Sequence, residues 1–208
     1  MAQKENASRA GFGPALDAIG ADPSLKEIIL SGGDPLTLSD RRLAALFDGL
    51  QAIPHLRRVR LHTRLPIVLP ERIDHGFLSA WSALRLPKVA VVHANHAREI
   101  DGSVRAAIAD LRATDSTVLN QAVLLRGIND RVADLVELSE VLFAAGALPY
   151  CLHVLDPVAG AAHFDLPEEA ARHLIEGVTA RLPGYLVPRL VREEAGARAK
   201  TMLPPASR

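Results

Sequence analysis

Polar side chains that could bind a ligand or move a proton recur along this sequence directly after short apolar segments. The apolar segments begin near residues 27, 59, 88, 117 and 150. The polar residues that follow them are Asp34, His62, Arg64, His93, Asn95, His96, Asn120, Gln121, His153 and Asp156. In a (βα) barrel, the ends of parallel strands converge on one mouth, where ligands bind. The convergence of the whole set is therefore more informative than any single member.

Two kinds of chemistry could use such a mouth. Histidines and an aspartate from different strands, such as His62, His93 and Asp156, could hold a metal ion that activates water. The spacing of His93 and His96 is weak support, because two histidines on one loop need no metal. Alternatively, glycine-rich turns with nearby cations could bind a phosphorylated ligand.

Residues 27–36 are the most informative stretch. The apolar run at residues 28–30 shows no polar alternation, as in a strand buried on both faces of a parallel sheet. Gly32 and Gly33 then allow a sharp turn that comes close to a ligand, and Asp34 supplies a carboxylate at the strand end. A tight strand-to-helix turn with an N-capping Asp34 explains the same residues equally well.

Several other candidates also have purely structural interpretations. His62 and His93 could be half-buried histidines with hydrogen-bonded rings, and Asp156 could begin a turn. Asn120 and Gln121 lie inside an apolar strand, so we expect one to point into the barrel and the other to bind a backbone group.

Lys200 stands among small residues near the end of the chain. A lysine becomes a nucleophile toward an aldehyde when burial or nearby cations favour its neutral form. From the residues alone, a solvated lysine in a mobile tail is the favoured interpretation.

The elements that must position these residues alternate between strand and helix. We expect strands over residues 28–30, 59–63, 88–93, 118–123, 150–155 and 186–191. We expect helices over residues 14–19, after Ser39, over residues 70–84, after Asp101, from Asp130 and over residues 167–182. Strand starts about 30 residues apart are typical of repeated βαβ units in a parallel sheet with right-handed crossovers. Five such units plus a last strand predict an incomplete α/β barrel of the (βα)6 type; a flat doubly wound sheet is the alternative.

Composition limits the class of protein. The 208 residues fit one domain with a sizeable core, and 24 basic residues balance 24 acidic ones. Zero net charge gives no indication of a nucleic-acid partner or of binding to an anionic membrane. No apolar run reaches the roughly 18 residues of a membrane span, and no signal peptide opens the sequence, so we expect a cytoplasmic protein. Cys151 is the one cysteine, which excludes a disulfide within the chain.

Five motifs follow one another in a fixed order. They are Ser31-Gly-Gly-Asp-Pro-Leu36, His62-Thr-Arg-Leu-Pro66, Asn95-His96, Asn120-Gln121 with Val123-Leu-Leu-Arg-Gly-Ile-Asn-Asp130, and Leu152-His-Val-Leu-Asp156 with Gly160-Ala-Ala-His-Phe164. Together they resemble the lysine 2,3-aminomutase family of radical S-adenosylmethionine enzymes, and within it the branch that acts on lysine for modification of elongation factor P. The resemblance extends over nearly the whole chain.

The resemblance implies a TIM-like radical S-adenosylmethionine barrel and an isomerase that converts L-lysine to β-lysine. The family's cofactors are S-adenosylmethionine, a 4Fe–4S cluster and pyridoxal phosphate. The residues implied in contact with S-adenosylmethionine are Ser31, Gly32, Gly33 and Asp34. The residues implied to line the same mouth are His62, Arg64, His96 and Gln121. Lys200 matches the lysine that forms the pyridoxal imine, and Asp156 and Glu193 match acidic contacts of the substrate lysine.

The sequence departs from the family at one decisive point. The cluster-binding C-x3-C-x2-C motif is absent, and Cys151 alone cannot supply the three or four thiolates that a 4Fe–4S cluster needs. We expect the first barrel strand, and the arginines that help hold pyridoxal phosphate, to be missing with the motif. The expectation is therefore a truncated, late-started or decayed relative that by itself forms no β-lysine.

Two other functions remain open at this point. One is a non-catalytic remnant that binds S-adenosylmethionine or a partner, and the other is a metal-dependent hydrolase on the barrel. In either case we expect a partial barrel domain over residues 1–192 and a C-terminal tail over residues 193–208 that carries Lys200. The oligomeric state is not indicated.

Overall fold

The computed structural model of the chain describes residues 11–194, 196–197 and 199–205. Within these residues seven strands form one sheet in the order of the chain. The strands are β1 (Glu27–Leu30), β2 (Arg58–His62), β3 (Lys88–Val92), β4 (Ser116–Val123), β5 (Leu148–His153), β6 (Arg189–Arg192) and β7 (Thr201–Met202). The α-helices are α1 (Gly13–Ala21), α2 (Asp40–Gln51), α3 (Leu65–Val68), α4 (His75–Ala83), α5 (Gly102–Ala113), α6 (Val132–Ala145) and α7 (Glu168–Thr179). Short 3-10 helices cover Pro35–Thr37, Pro70–Arg72, Ala97–Glu99, Ala162–Phe164 and Gly184–Leu186.

The first six strands pair in parallel, each with the next along the chain. Each connection between them contains at least one helix, which is the repeated βαβ pattern that the spacing predicted. The result is an open half-barrel, so the prediction of an incomplete (βα)6 TIM-like barrel is confirmed. The carboxyl ends of β1 to β6 lie at one rim, which is referred to below as the mouth.

Strand β1 lies at an edge of this sheet. It pairs with β2 from Glu27 to Leu30, and with no other strand in the part of the chain that the structure describes. The side chain of Ile29 is 46% exposed there, unlike the interior strand residues that the apolar run at residues 28–30 predicted. Among the described residues no element covers this face of β1, and a strand buried on both faces needs such cover.

The C-terminal segment is joined to the sheet, which the sequence did not predict. Strand β7 pairs antiparallel with β6, with Thr201 opposite Arg192 and Met202 opposite Val191. The amide of Leu203 also donates to the carbonyl of Leu190 at 2.9 Å, and the Leu203 side chain is buried. One apolar residue in a polar segment thus anchors the tail, and the sheet is parallel only as far as β6.

The helices pack on the outer face and bury the apolar stripes that the sequence predicted. The inward residues of α2 are Leu43, Leu46, Phe47 and Leu50, and those of α5 include Val104, Ile108 and Leu111. Trp81 of α4 is fully buried between Phe47 and Phe77, with ring centroids 5.1 and 6.1 Å away. Its indole N–H donates to Ser116 Oγ at 2.8 Å, which satisfies the polar atom inside the core.

Two helix predictions need correction. The helix expected over residues 70–84 is interrupted, because Asp74 accepts a hydrogen bond from the amide of Phe77 at 2.9 Å and so starts α4 afresh. The helix expected from Asp130 begins at Val132, since the Asp130 carboxylate accepts from the amide of Gly127 in the preceding turn. None of the described helices is long and apolar enough to cross a membrane.

Candidate active site

Lys200 lies in a polar cluster at the mouth. Its Nζ is 3.1 Å from Oε1 of Gln121, 2.8 Å from Nε2 of His153 and 3.2 Å from a carboxylate oxygen of Glu193. Gln121 and His153 stand near the ends of β4 and β5, and Glu193 directly follows β6. The structure therefore brings together three of the residues predicted for the site, Lys200, Gln121 and Glu193.

The antiparallel pairing of β7 with β6 is what places Lys200 there, because Lys200 directly precedes β7. Its side chain is 31% exposed, so the interpretation as a solvated tail lysine is wrong. A partly buried amine that faces one carboxylate, one imidazole and one amide oxygen can reach a ligand in the mouth while its charge is balanced.

Asp156 and Glu193 line one cavity of about 570 Å³ beside this cluster. Arg192 and Glu168 also line it, and they pair with each other at 2.7 Å. Glu193 lines a second cavity of about 240 Å³ together with Lys200. Glu193 is thus shared between the pocket that holds Asp156 and the pocket that holds Lys200.

The glycine turn after β1 has the geometry that its sequence predicts. Gly32 and Gly33 have φ angles of +85° and +58°, which side chains rarely adopt. A Cβ added at either position would meet no atom within 4 Å, so open space lies against the backbone. A cavity of about 250 Å³ is lined by this turn, by His62 and Arg64 after β2, and by His93 after β3.

Asp34 ties this turn to the neighbouring strand. Its carboxylate accepts from the hydroxyl of Thr63 at 2.7 Å and from the amides of Arg64 at 2.7 Å and Leu36 at 3.0 Å. The bond to Leu36 caps the 3-10 helix, as the capping interpretation expected. The carboxylate is engaged by protein donors, so Asp34 positions the glycine turn and Arg64.

His62 and His93 lie against each other at the mouth. Their ring centroids are 5.7 Å apart in an edge-to-face arrangement. Burial lowers the pKa of His62 to about 4, helped by the charges of Arg60 and Lys200. Burial also lowers the pKa of His93 to about 4, and His62 adds to the effect. Both rings are therefore neutral near pH 7, and Nε2 of His62 is buried with no hydrogen-bond partner among the described residues.

The side chains of His96 and Asn120 form hydrogen bonds with backbone groups and do not contact Lys200. Nδ1 of His96 accepts from the amide of Arg98 at 3.1 Å in a capping box with Glu99. The side chain of Asn120 is buried, accepts from the amide of Ala94 at 2.8 Å and donates to the Ala94 carbonyl at 3.0 Å. With Gln121 directed at Lys200, the expectation that one of the two amides points inward and the other binds backbone is confirmed.

A metal centre has no support in this geometry. Among the described residues no group of three or more histidine, cysteine, aspartate or glutamate side chains is placed to hold a metal ion. The hydrolase that would use His62, His93 and Asp156 therefore lacks its site. Cys151 is buried in β5, and burial raises the pKa of its thiol, which disfavours the thiolate that a cluster requires.

Sequence reasoning listed His153 among the strand-end residues without a role in the site, and it did not single out Asn129. His153 was visible as a strand-end histidine, yet its role depends on Lys200, which is 47 residues away in the chain. Asn129 is fully buried and donates to the carbonyls of Asn95 and Val123 at 2.8 and 2.9 Å. It joins the loops after β3 and β4, and its place in the motif that ends at Asp130 was the one available signal.

Comparison with known proteins extends these observations. No family model matches the chain. It is 47% identical over 189 residues to the L-lysine 2,3-aminomutase of Escherichia coli (strain K12), which covers 91% of this chain and 55% of the relative. It is also 47% identical over 188 residues to the L-lysine 2,3-aminomutase of Haemophilus influenzae, which covers 90% of this chain and 56% of the relative. The chain thus spans about half the length of the curated relatives that it matches.

A solved structure shares the fold. A radical SAM methyltransferase from Sphaerobacter thermophilus superimposes with a TM-score of 0.55 at 19% identity, over 86% of this chain and 55% of that one. At this identity the likeness concerns the fold alone. It agrees with the open half-barrel of parallel strands described above.

Proposed function

Because the chain belongs to the lysine 2,3-aminomutase family of radical S-adenosylmethionine enzymes over the length that it spans, we propose that it carries the lysine-binding and pyridoxal phosphate-binding part of such an isomerase. The observation that carries the proposal is the position of Lys200. Its amine lies at the mouth among Gln121, His153 and Glu193, at the carboxyl ends of three strands.

The residues of the mouth fit pyridoxal phosphate. Lys200 would hold it covalently, since its amine is partly exposed beside a cavity of about 240 Å³. When bound, the cofactor supplies an electron-withdrawing ring that stabilises charge or an unpaired electron next to the substrate nitrogen. Gln121 and His153 would orient the amine of Lys200 through the contacts described above.

S-adenosylmethionine would bind in the cavity beside the glycine turn. Open space lies against the backbone of Gly32 and Gly33, and Ser31 lines the same cavity. Asp34 would contribute indirectly, because its hydrogen bonds hold the glycine turn in position. His62 and Arg64 line this cavity, and His62 offers a buried ring nitrogen with no hydrogen-bond partner among the described residues. The assignment of His96 to this site rests on the family motif alone.

The substrate would be held by carboxylates. Asp156 and Glu193 line a common cavity of about 570 Å³, and a lysine side chain brings an ammonium group that two carboxylates can bind by charge-assisted hydrogen bonds. The assignment of L-lysine as substrate rests on this charge match and on the names of the relatives.

A 4Fe–4S cluster does not fit the residues present. The chain has one cysteine, buried in β5, and a cluster needs at least three thiolates. These residues alone cannot generate the radical that the cluster supplies, and we propose that this chain alone forms no β-lysine. The link to elongation factor P, a cytoplasmic location and the assignment of Lys200 to a tail segment beginning at residue 193 are proposals that rest on the sequence motifs.

Binding of L-lysine to the chain loaded with pyridoxal phosphate tests the proposal. We expect measurable affinity by calorimetry, weakened at least about tenfold in Asp156→Asn, because a charge-assisted hydrogen bond contributes roughly 1.5–3 kcal/mol. Norleucine, which lacks the side-chain ammonium group of lysine, should bind weakly to both proteins. Asp165→Asn, on the wall of the same cavity, is the matched control. Equal affinity for L-lysine and norleucine would overturn the assignment of the substrate.

A further inference from the structure

The contact between Lys200 and His153 constrains their protons. Nζ of Lys200 and Nε2 of His153 are 2.8 Å apart, which is hydrogen-bond distance. An ammonium group has no lone pair, and an imidazolium ring has none on nitrogen, so the doubly protonated pair cannot form this bond. At least one of the two groups is therefore neutral, and when the pair carries one ionising proton it is held either by the amine or by the ring.

The surroundings of His153 favour a neutral ring, whose Nε2 accepts a hydrogen bond from the Lys200 ammonium. The side chain is only 5% exposed, and burial, followed by the charge of Lys200, lowers its pKa. Glu193 and Asp156 act in the opposite direction, and Nδ1 of His153 lies 4.0 Å from the Glu193 carboxylate. His93 also interacts electrostatically with the His153 ring. The His153 ring is thus neutral when the Lys200 amine is charged. The Glu193 carboxylate lies near enough to offset the charge that the ring gains when it is protonated.

We propose that His153 is the proton carrier for Lys200 during attachment of an aldehyde cofactor. An N–H bond of the Lys200 ammonium breaks, and its proton passes to Nε2 of His153. The freed electron pair of Nζ then forms the bond to the aldehyde carbon. The aldehyde oxygen leaves as water, with one proton taken from the nitrogen and one returned by His153, so the ring ends as it began.

This inference rests on the proposed function, and it separates His153 from the other contacts of Lys200. The Gln121 oxygen can accept a hydrogen bond from the ammonium but cannot hold its proton. The Glu193 carboxylate, at 3.2 Å, stabilises the charged amine and so opposes loss of the proton. His153 is the neutral base at hydrogen-bond distance from Nζ, so it can take the proton transiently and, because its pKa is lowered, return it readily.

The test measures how fast Lys200 is captured. Purified chain is mixed with pyridoxal phosphate, or with pyridoxal, which lacks the phosphate, and samples are reduced with borohydride at intervals. Peptide mapping then gives the rate at Lys200. We expect His153→Gln, which keeps an acceptor atom, to slow the limiting rate about a hundredfold, the low end of what a positioned acid or base contributes. The aldehyde concentration that gives half of the limiting rate should change little. The substitution should slow the reaction with pyridoxal phosphate and the reaction with pyridoxal to the same extent.

Controls separate the possible failures. His173→Gln, an exposed histidine on α7, should react like the wild type. Added imidazole should restore part of the rate in His153→Ala. An unchanged rate in His153→Gln, with Lys200 labelled in the wild type, would overturn the role of His153 and leave the proposed function intact. Absence of labelling at Lys200 in the wild type would overturn the proposed function as well.

A second measurement does not depend on the fold of the His153 variants. In Lys200→Met the charge that helps to depress the pKa of His153 is removed, so that pKa should rise toward its ordinary value when followed by NMR. An unchanged His153 pKa in this variant would show that the two groups do not share a proton, and would overturn the proposal.

Discussion

At the residue scale, the mouth is built from neutral histidines held beside cations. His62, His93 and His153 lie near the ends of three strands, and burial is the first cause of the lowered pKa of each. Protonating any of them would add charge next to Arg60, Arg64 or Lys200, which stand among the causes of these shifts. Protonation of these rings is therefore unfavourable in the folded chain near neutral pH.

Stability should depend on pH through His62 and His93. Their pKa values are about 4 in the folded chain and about 6.5 when unfolded, so the unfolded state binds more protons between these limits. The free energy of unfolding should be fully present above pH 6.5 and should fall as the pH drops toward 4. We expect a loss of about 1 kcal/mol per histidine, well below the full linkage value because the rings are only partly buried.

Urea unfolding at a series of pH values checks this prediction. The double variant His62→Gln and His93→Gln should show a shallower decline between pH 6.5 and 4, and His173→Gln should follow the wild type. A double variant with the same slope as the wild type would show that these rings titrate normally in the folded chain.

At the element scale, local patterns predicted the frame of the mouth but not its last component. Apolar stripes such as Leu43, Leu46 and Leu50 predict the helices that pack on the outer face. The spacing of the strand starts predicts a parallel sheet. Both features can be predicted because they depend on residues close together in the sequence. Strand β7 has only two residues and owes its place to pairing with β6, a contact that no local pattern encodes. The site residues were accordingly predicted as a set on strand ends, whereas the contact of Lys200 with His153 was not.

Breaking the attachment of β7 should release Lys200. Leu203→Pro removes the amide that donates to the carbonyl of Leu190 at 2.9 Å, and a proline cannot replace it. We expect the amides of β6 to lose their protection from hydrogen exchange. Lys200 should then react with aldehydes no faster than Lys26, which directly precedes β1. Met202→Ala, whose side chain is 62% exposed, keeps the backbone bond and serves as the matched control. Selective labelling of Lys200 in Leu203→Pro would contradict this account of the tail.

At the scale of the whole molecule, the half-barrel leaves an edge and an inner face uncovered. Strand β1 offers a row of backbone groups along Glu27–Leu30, with Ile29 46% exposed among them. An exposed edge strand with an apolar side chain is a template for pairing with another chain. Glu27, which pairs with Arg60 of β2 at 2.8 Å, places a charged residue on this edge strand.

Self-association should therefore pass through β1. Ile29→Lys places a charge on the edge and should lower the fraction of aggregated chain at a given concentration, measured by light scattering and analytical ultracentrifugation. Ile128→Lys is the matched control, since Ile128 is 42% exposed but lies in a turn rather than on a strand edge. If both variants reduce association equally, general hydrophobicity rather than the edge is responsible.

The central claim is that this half-barrel builds a cofactor-binding amine at its mouth. The most direct measurement is peptide mapping after pyridoxal phosphate binding and borohydride reduction of the full chain. The account predicts that Lys200 carries the reduced pyridoxyl group at a far higher yield than Lys26 or Lys88, and that Lys200→Ala loses this label without gaining another. A label distributed evenly over the lysines, or unchanged total incorporation in Lys200→Ala, would contradict it.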